Sequence, residues 1–172
     1  MLKKQTCDLV WLVPCFAHAF GKKLSYPLHR FAMAKLLESK SVKISDYEIQ
    51  KQGISISFET LQDFSKLYPQ DAFSWIIGSD QIEDFPKWDY WQEIITRYGL
   101  IIVQRDGKEN PEDTTKKALA LETFENIRFV SSEDIPDISS TEIRERVKNN
   151  QSIHALVPQK IEEYIVKHSL YK

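Results

Sequence analysis

The sequence has no apolar run approaching the ~18–20 residues that a membrane-spanning helix needs. Its first six residues, Met1 to Thr6, turn polar before the apolar core of a signal peptide can form. These absences argue against a membrane protein and against a secreted one. We therefore expect a cytoplasmic protein that has no membrane partner.

Neither sign of charge dominates, because 23 Lys plus Arg residues face 25 Asp plus Glu residues, for a net charge of -2. The chain therefore lacks the basic footprint of a nucleic-acid-binding protein, although a small nucleotide needs only a local site. Cysteine is also scarce. Without a secretory signal, Cys7 and Cys15 are predicted to be reduced thiols that form neither a disulfide nor a metal site.

Short apolar runs are present, and they are typical of strands buried on both faces of a parallel sheet. Four clear runs lie at residues 9–13, 73–77, 99–103 and 127–130, and a weaker one lies at residues 42–44. Helical spacing separates them, with one helix after Pro27, one before Tyr68, one marked by Trp88, Trp91 and Ile95, and one after Pro158. This alternation predicts a single α/β domain over residues 1–172 with a doubly wound parallel sheet.

The polar segment 107–115 is interpreted as a surface loop. In a doubly wound sheet, ligands bind beyond the carboxyl ends of the strands. That rule nominates residues 14–23, residues 78–80 and Arg105 as the rim of a candidate site.

Residues 137–144 carry the most informative motif. Ser139 and Glu142 have the spacing of a capping box that opens a helix. The amide groups of a helix N-terminus, two further hydroxyls and Arg144 would together suit a phosphate group. A well-capped surface helix without a ligand explains the same residues, and the motif alone does not exclude it.

Three other features could bind a nucleotide. Gly78 would let a ligand approach the backbone at a strand end, and Asp80 could accept hydrogen bonds from a ribose or a base. An exposed tryptophan, Trp88 or Trp91, could stack on an aromatic ring, whereas a buried one would belong to the core. The remaining feature is a loop that holds His18, Lys22 and Lys23, which could bind an anion or simply be solvated.

Taken in order, these segments resemble the bacterial nicotinate-mononucleotide adenylyltransferases of the nucleotidyltransferase superfamily. The matching segments are residues 8–14, residues 18–23, His29-Arg30 with Met33, and residues 53–61, 76–80, 86–88, 105–107, 138–144 and 156–171. The resemblance implies a Rossmann-like fold. It also implies transfer of an adenylyl group from ATP to nicotinate mononucleotide, with Mg2+ and with release of pyrophosphate.

The resemblance also assigns residues to the two substrates. The implied ATP-binding residues are Gly78 and Asp80 on the adenosine side and Ser140, Thr141 and Arg144 at the phosphates. The expected acceptor-binding residues are Ser57, where the family has threonine, Trp88, which would stack on the pyridine ring, Arg105, and the loop residues Lys22 and Lys23. ATP and the mononucleotide are the expected partners, and assembly into a homo-oligomer is left open.

One family motif has no match in this sequence. The family opens with a strand that runs into Gly-Gly-x-Phe-Asp-Pro-x-His-x-Gly-His, and nothing upstream of Asp8 resembles it. His18-Ala19-Phe20-Gly21 lacks the second histidine, so no catalytic residue is identified and the domain is expected to be N-terminally incomplete. Because the missing strand lies between residues 9–13 and 73–77 in the family, those two strands pair directly, or the sheet divides, or another chain supplies a strand. We expect one of the first two outcomes.

Two other functions stay open at this point. One is adenylyl transfer to a different phosphate acceptor, such as phosphopantetheine, although Trp88 and the ending at residues 156–171 favour the pyridine nucleotide. The other is nucleotide binding without catalysis, which the missing histidines favour.

Overall fold

The computed structural model describes residues 6–22, 24–105, 110–121, 123–131, 136 and 138–172. In chain order the strands are β1 (Val10–Leu12), β2 (Ala17–His18), β3 (Val42–Ile44), β4 (Ile54–Ser55), β5 (Trp75–Gly78), β6 (Leu100–Val103) and β7 (Ile127–Val130). The helices are α1 (Pro27–Lys35), α2 (Tyr47–Lys51), α3 (Ser57–Leu67), α4 (Trp91–Glu93), α5 (Pro111–Leu119), α6 (Ser140–Lys148) and α7 (Gln159–Lys167). Two 3-10 turns, Ser79–Gln81 and Phe85–Lys87, follow β5, and a π-helical segment, Ile94–Tyr98, continues α4.

Within these described ranges the strands form only parallel ladders, in three sheets. β1 pairs with β3, β2 pairs with β4, and β5, β6 and β7 form a three-stranded sheet in that order. All five predicted strands are present, and the α/β prediction is confirmed. The strands are divided among separate sheets, which is one of the two outcomes expected above. The two-residue strands β2 and β4 were not predicted, because they are too short to show a hydrophobic pattern.

Two compact units divide the chain. One comprises Met1–Ser55 and Ile138–Lys172, and the other comprises Ile56–Asp137. We call them the terminal unit and the central unit. The expectation of a single domain over residues 1–172 stays a prediction.

The core of the central unit surrounds β6. Leu100, Ile101 and Ile102 are all buried, as expected for a strand with a neighbour on each side and with both faces covered. Gly99, directly before β6, has a φ of 89°, and a Cβ there would lie 3.0 Å from the Asn126 carbonyl oxygen. Glycine is therefore required where the chain turns from the π-helical segment into β6.

The core of the terminal unit brings α1, α6 and α7 together. Ile153, Ile161 and Ile165 are buried at its centre, with Met33 and Ile143 among the side chains packed against them. The predicted helices after Pro27 and after Pro158 are confirmed as α1 and α7.

The prediction that Trp88 and Trp91 lie three apart on one helix is wrong. Trp88 has extended backbone angles (φ -79°, ψ 140°) after the turn Phe85–Lys87, and Tyr90 is left-handed with a φ of 60° before α4 begins. Pro86 removes a backbone donor inside the turn, and the left-handed residue interrupts any continuous helix. The apolar spacing was real, but both rings pack on the same core from different elements.

The loop predicted at residues 107–115 is also wrong in its second half. Residues 106–109 lie outside the described ranges, but Pro111–Leu119 forms α5, and the Asn110 side chain accepts a hydrogen bond from the Glu112 amide. An asparagine N-cap followed by proline at the first helical position is a start signal for a helix. The polar composition of the segment concealed that signal. The buried face of α5 includes polar residues such as Thr115, so it does not show the apolar spacing that is typical of a helix.

Candidate active site

Four residues meet where β5 and β6 end. We call Gly78, Ser79, Asp80 and Arg105 the strand-end cluster. Gly78 is paired with Val103 in the ladder, so the residues that follow each of them lie at the same edge of the sheet. The predicted site residues Gly78, Asp80 and Arg105 are therefore brought together, as the rule for parallel sheets requires.

Gly78 is needed here because its neighbours fill the space of a side chain. A Cβ at Gly78 would lie 2.3 Å from Asp80 Oδ1 and 3.2 Å from Arg105 Cδ. Its φ of -78° is ordinary, so the constraint is space and not backbone conformation. Any larger residue would displace the Asp80 carboxylate first, because that group is the end of a flexible side chain.

The charges of the strand-end cluster are partly exposed. Arg105 Nη1 lies 3.9 Å from Asp80 Oδ1, and the two side chains are 36% and 38% exposed. An ion pair of this length and exposure contributes little to stability. This ion pair by itself therefore does little to fix either side chain in place.

Trp88 lies in an aromatic group of the central unit. Its ring centroid is 5.2 Å from that of Phe85 and 6.4 Å from that of Trp75, and its side chain is half-buried. The preceding Lys87 hydrogen-bonds to Asp84, and this bond together with the carboxylate charge raises the pKa of Lys87. Trp88 is thus neither fully exposed nor fully part of the core, and this position is compatible with both of the roles expected for it.

Ser57 opens α3 and is half-buried. It belongs to the central unit, as do the strand-end cluster and Trp88. The position at a helix start is compatible with contact to a ligand.

The N-terminus of α6 carries the second predicted group. Ser139 Oγ accepts a hydrogen bond from the Glu142 amide at 3.1 Å, which confirms the serine half of the capping box. The Glu142 carboxylate instead accepts from Arg146 at 2.9 Å. Ser140 and Thr141 are exposed in the first turn of the helix, where the amide groups lack partners within the helix.

Arg144 folds back towards that first turn. Its Nη2 donates to Thr141 Oγ1 at 3.1 Å, and its side chain is half-buried. A guanidinium, a threonine hydroxyl and the positive end of the helix dipole are thereby grouped in one place. This arrangement suits a phosphate chain.

The loop after β1 is only partly described. Lys22 is exposed, whereas Lys23 lies outside the described residues. His18 accepts a hydrogen bond from the Phe20 amide at its Nδ1. That contact gives His18 a local structural role.

Sequence reasoning placed Ser79 in the candidate rim at residues 78–80 but gave it no role of its own. It is buried at 7% exposure, and its hydroxyl accepts a hydrogen bond from the Arg105 backbone amide at 3.0 Å. A small hydroxyl residue directly after a strand-ending glycine was the available signal. The sequence shows neither the burial of Ser79 nor its hydrogen bond to the Arg105 amide, which together indicate a structural role for the residue.

Two features are absent from the described residues, a metal-binding cluster and a membrane-spanning helix. No group of three or more His, Cys, Asp and Glu side chains in those ranges is arranged to hold a metal ion. No helix among them is both long enough and apolar enough to cross a membrane.

The sequence model of the cytidylyltransferase-like family matches residues 1–146 of the chain. The fold also matches that of the nicotinic acid mononucleotide adenylyltransferase from Plasmodium falciparum, solved in complex with NaAD. The TM-score is 0.77 at 23% identity, over 97% of this chain and 84% of that one. The chain therefore belongs to the cytidylyltransferase-like family and has the Rossmann-like nucleotidyltransferase fold.

Curated relatives narrow this class. A probable nicotinate-nucleotide adenylyltransferase from Methylacidiphilum infernorum is 36% identical, over 99% of this chain and 80% of its own length. One from Oceanobacillus iheyensis is 32% identical, over 95% of this chain and 81% of its own length. Within the class, the chain belongs to the nicotinate-nucleotide adenylyltransferase family.

Proposed function

We propose that the protein transfers an adenylyl group from ATP to nicotinate mononucleotide. In this reaction a phosphate oxygen of the mononucleotide bonds to the α-phosphorus of ATP. The bond between the α-phosphorus and the oxygen that bridges to the β-phosphorus breaks. Pyrophosphate leaves, and the product is the deamido form of NAD.

The observation that carries this proposal is the 36% identity to a nicotinate-nucleotide adenylyltransferase over nearly the whole chain. The geometry supports it independently, because each unit presents polar groups suited to part of a nucleotide. The alternative acceptor phosphopantetheine has no pyridine ring, so it offers no use for Trp88.

On the ATP side, we propose that α6 binds the phosphates and that Gly78 and Asp80 of the strand-end cluster lie at the adenosine. Ser140, Thr141 and Arg144 supply hydroxyls and a guanidinium at the positive end of a helix. Gly78 leaves room for the Asp80 carboxylate and the Arg105 side chain, and Asp80 is an acceptor for ribose hydroxyls.

On the acceptor side, we propose that Trp88 stacks on the pyridine ring and that Arg105 binds an anionic group of the mononucleotide. Arg105 is suited to this role because a guanidinium can bind a carboxylate or a phosphate with two hydrogen bonds. Ser57, Lys22 and Lys23 are the other proposed contacts. Neither lysine is expected to be specific, because a lysine binds a phosphate as a point charge.

Mg2+ is proposed to enter with ATP. Among the described residues no side-chain group could cage the ion. Mg2+ is usually held by substrate phosphates, water and one or two carboxylates, and not by a dedicated protein cage. The ion would neutralise negative charge on the phosphates of ATP.

The acceptor preference tests the proposed function. The chain is expected to bind nicotinate mononucleotide about 5–10-fold more tightly than nicotinamide mononucleotide, because hydrogen bonds to a charged carboxylate are stronger than those to a neutral amide. Isothermal titration calorimetry with both acceptors measures the ratio. Trp88→Ala is the matched variant, because loss of stacking should weaken the binding of both mononucleotides equally. Equal affinity, or preference for the amide, would reject nicotinate as the substrate.

Arg144→Ala tests the phosphate site. It is expected to weaken ATP binding by about 1.5–3 kcal/mol, the value of a hydrogen bond to a charged group, with little loss of fold stability. Titration of the variant with ATP and Mg2+, together with a urea unfolding curve, measures both quantities.

Arg146→Ala is the control for Arg144→Ala. Arg146 lies on the same helix and has the same charge, but it pairs with Glu142 at 2.9 Å. Removing it should cost less than about 1 kcal/mol of stability and leave ATP affinity unchanged. If Arg144→Ala unfolds the protein while the residual folded fraction binds ATP normally, Arg144 is structural and the helix is only well capped.

A further inference from the structure

Ser79 makes a hydrogen bond that joins two distant parts of the central unit. It opens the turn Ser79–Gln81 directly after β5, and it is buried. Its Oγ accepts from the Arg105 amide, 26 positions along the chain, at 3.0 Å. The Ser79 hydroxyl thereby joins the turn after β5 to the segment that follows β6.

The position of this bond in the ladder shows what it controls. The pairing of β6 with β7 ends at Val103 opposite Val130, and the Gln104 amide still donates to the Val130 carbonyl at 2.9 Å. The next amide, that of Arg105, turns to Ser79 instead. Ser79 therefore accepts the first backbone donor beyond the ladder and sets the direction in which the Arg105 backbone leaves the sheet.

The Arg105 side chain is located by the two neighbours of Ser79. Its Cδ passes over Gly78, and its Nη1 faces Asp80 at 3.9 Å. Backbone, stem and guanidinium thus each contact one residue of the Gly-Ser-Asp segment. Of these three contacts, only the bond to Ser79 is a hydrogen bond between uncharged groups, and the hydroxyl that accepts it is buried.

We propose that Ser79 is a positioning residue for the acceptor, acting through Arg105. By holding the Arg105 amide, it aims the guanidinium at the anionic group of the mononucleotide without touching the substrate itself. This proposal rests on the proposed function, in which Arg105 binds the acceptor. A guanidinium that binds with two hydrogen bonds depends strongly on direction, so a small backbone shift at Arg105 weakens the complex.

A double-mutant cycle tests the proposal. Ser79→Ala is expected to weaken binding of nicotinate mononucleotide about fivefold, while ATP affinity changes by less than twofold. In an Arg105→Ala background, Ser79→Ala should have no further effect, because the group that it positions is gone. Calorimetric titration of the wild type, both single variants and the double variant measures the cycle. Parallel titrations with nicotinamide mononucleotide, which has the phosphate but not the carboxylate, show which anionic group Arg105 binds. If Ser79→Ala weakens binding of both mononucleotides equally, Arg105 binds the phosphate. If it weakens binding of nicotinate mononucleotide alone, Arg105 binds the carboxylate.

Ser74→Ala is the matched control. Ser74 lies just before β5, and its hydroxyl also bonds to the segment that leads into β6, donating to the Tyr98 carbonyl at 3.0 Å. It lies at the other end of the strand and should not alter acceptor binding. Additive losses in the double variant, or an equal loss for ATP and the mononucleotide, would make Ser79 merely structural.

Hydrogen exchange of the Arg105 amide provides a readout that needs no ligand. Exchange is expected to accelerate in Ser79→Ala and to stay unchanged in Ser74→Ala. If the wild type binds no mononucleotide, the proposed function fails. Unchanged exchange at Arg105 in Ser79→Ala overturns the positioning role itself, whatever the acceptor.

Discussion

Incubated with ATP, Mg2+ and nicotinate mononucleotide, the 172-residue polypeptide on its own is expected to perform the proposed transfer only at or near the background rate. Its four histidines include none in a His-x-Gly-His motif. In the family that it resembles, those histidines stabilise charge on the transferring phosphate, and loss of even one such donor typically costs ~10²–10³ in rate. Substrate binding by the groups that are present, with little or no turnover, is therefore the expected result.

A fusion provides the matched comparison. A relative's strand and turn bearing Gly-Gly-x-Phe-Asp-Pro-x-His-x-Gly-His, joined ahead of Met1, is expected to raise turnover by at least ~10², since each donor contributes on that scale. The same fusion with both motif histidines changed to alanine should stay at background. A coupled pyrophosphate assay measures all three proteins.

Robust turnover by the unfused polypeptide would show that the catalytic groups have been misplaced. His18 and His29 would then be the first residues to substitute. The structure gives both a different role, since His18 Nδ1 accepts from the Phe20 amide and His29 Nδ1 shares a hydrogen bond with the Tyr164 hydroxyl at 3.0 Å. Conversion of either residue to glutamine would decide whether it also takes part in chemistry.

The strands were predictable because β6 and its neighbours are short, continuous apolar runs, which few other structures explain. The strand-end cluster was predictable for a related reason, since residues that follow parallel strands meet at one edge. Ser139 could be predicted as an N-cap, because capping depends on residues close in sequence.

The features that the sequence did not predict depend on contacts between residues that are far apart in the chain. Trp88 has helical spacing from Trp91, yet both rings pack on the core around Phe85 from separate elements. Ser79 was placed in the rim of the site, but its role was missed, because that role depends on burial and on a hydrogen-bond partner 26 residues away. Neither property is local, so no pattern in the neighbouring sequence reports it.

Phe85→Ala is expected to cost about 3–5 kcal/mol of stability, the range measured when a buried phenylalanine is truncated. Phe85 is 0% exposed, and its ring lies 5.2 Å from that of Trp88 and 6.3 Å from that of Trp91. A loss of this size is a large part of the ~5–15 kcal/mol that holds a typical domain folded. Urea unfolding followed by tryptophan fluorescence and by far-UV circular dichroism measures the loss.

Phe20→Ala is the matched control for this prediction, because Phe20 is 52% exposed and its truncation should change stability by less than about 0.5 kcal/mol. Phe85→Ala should also weaken the binding of nicotinate mononucleotide at temperatures where the variant is folded, because the Trp88 ring loses the neighbour against which it packs. A cost below about 1 kcal/mol would mean that the core closes around the missing ring. In that case Trp88, the proposed stacking residue, is held in place by Trp75 of β5 and not by Phe85.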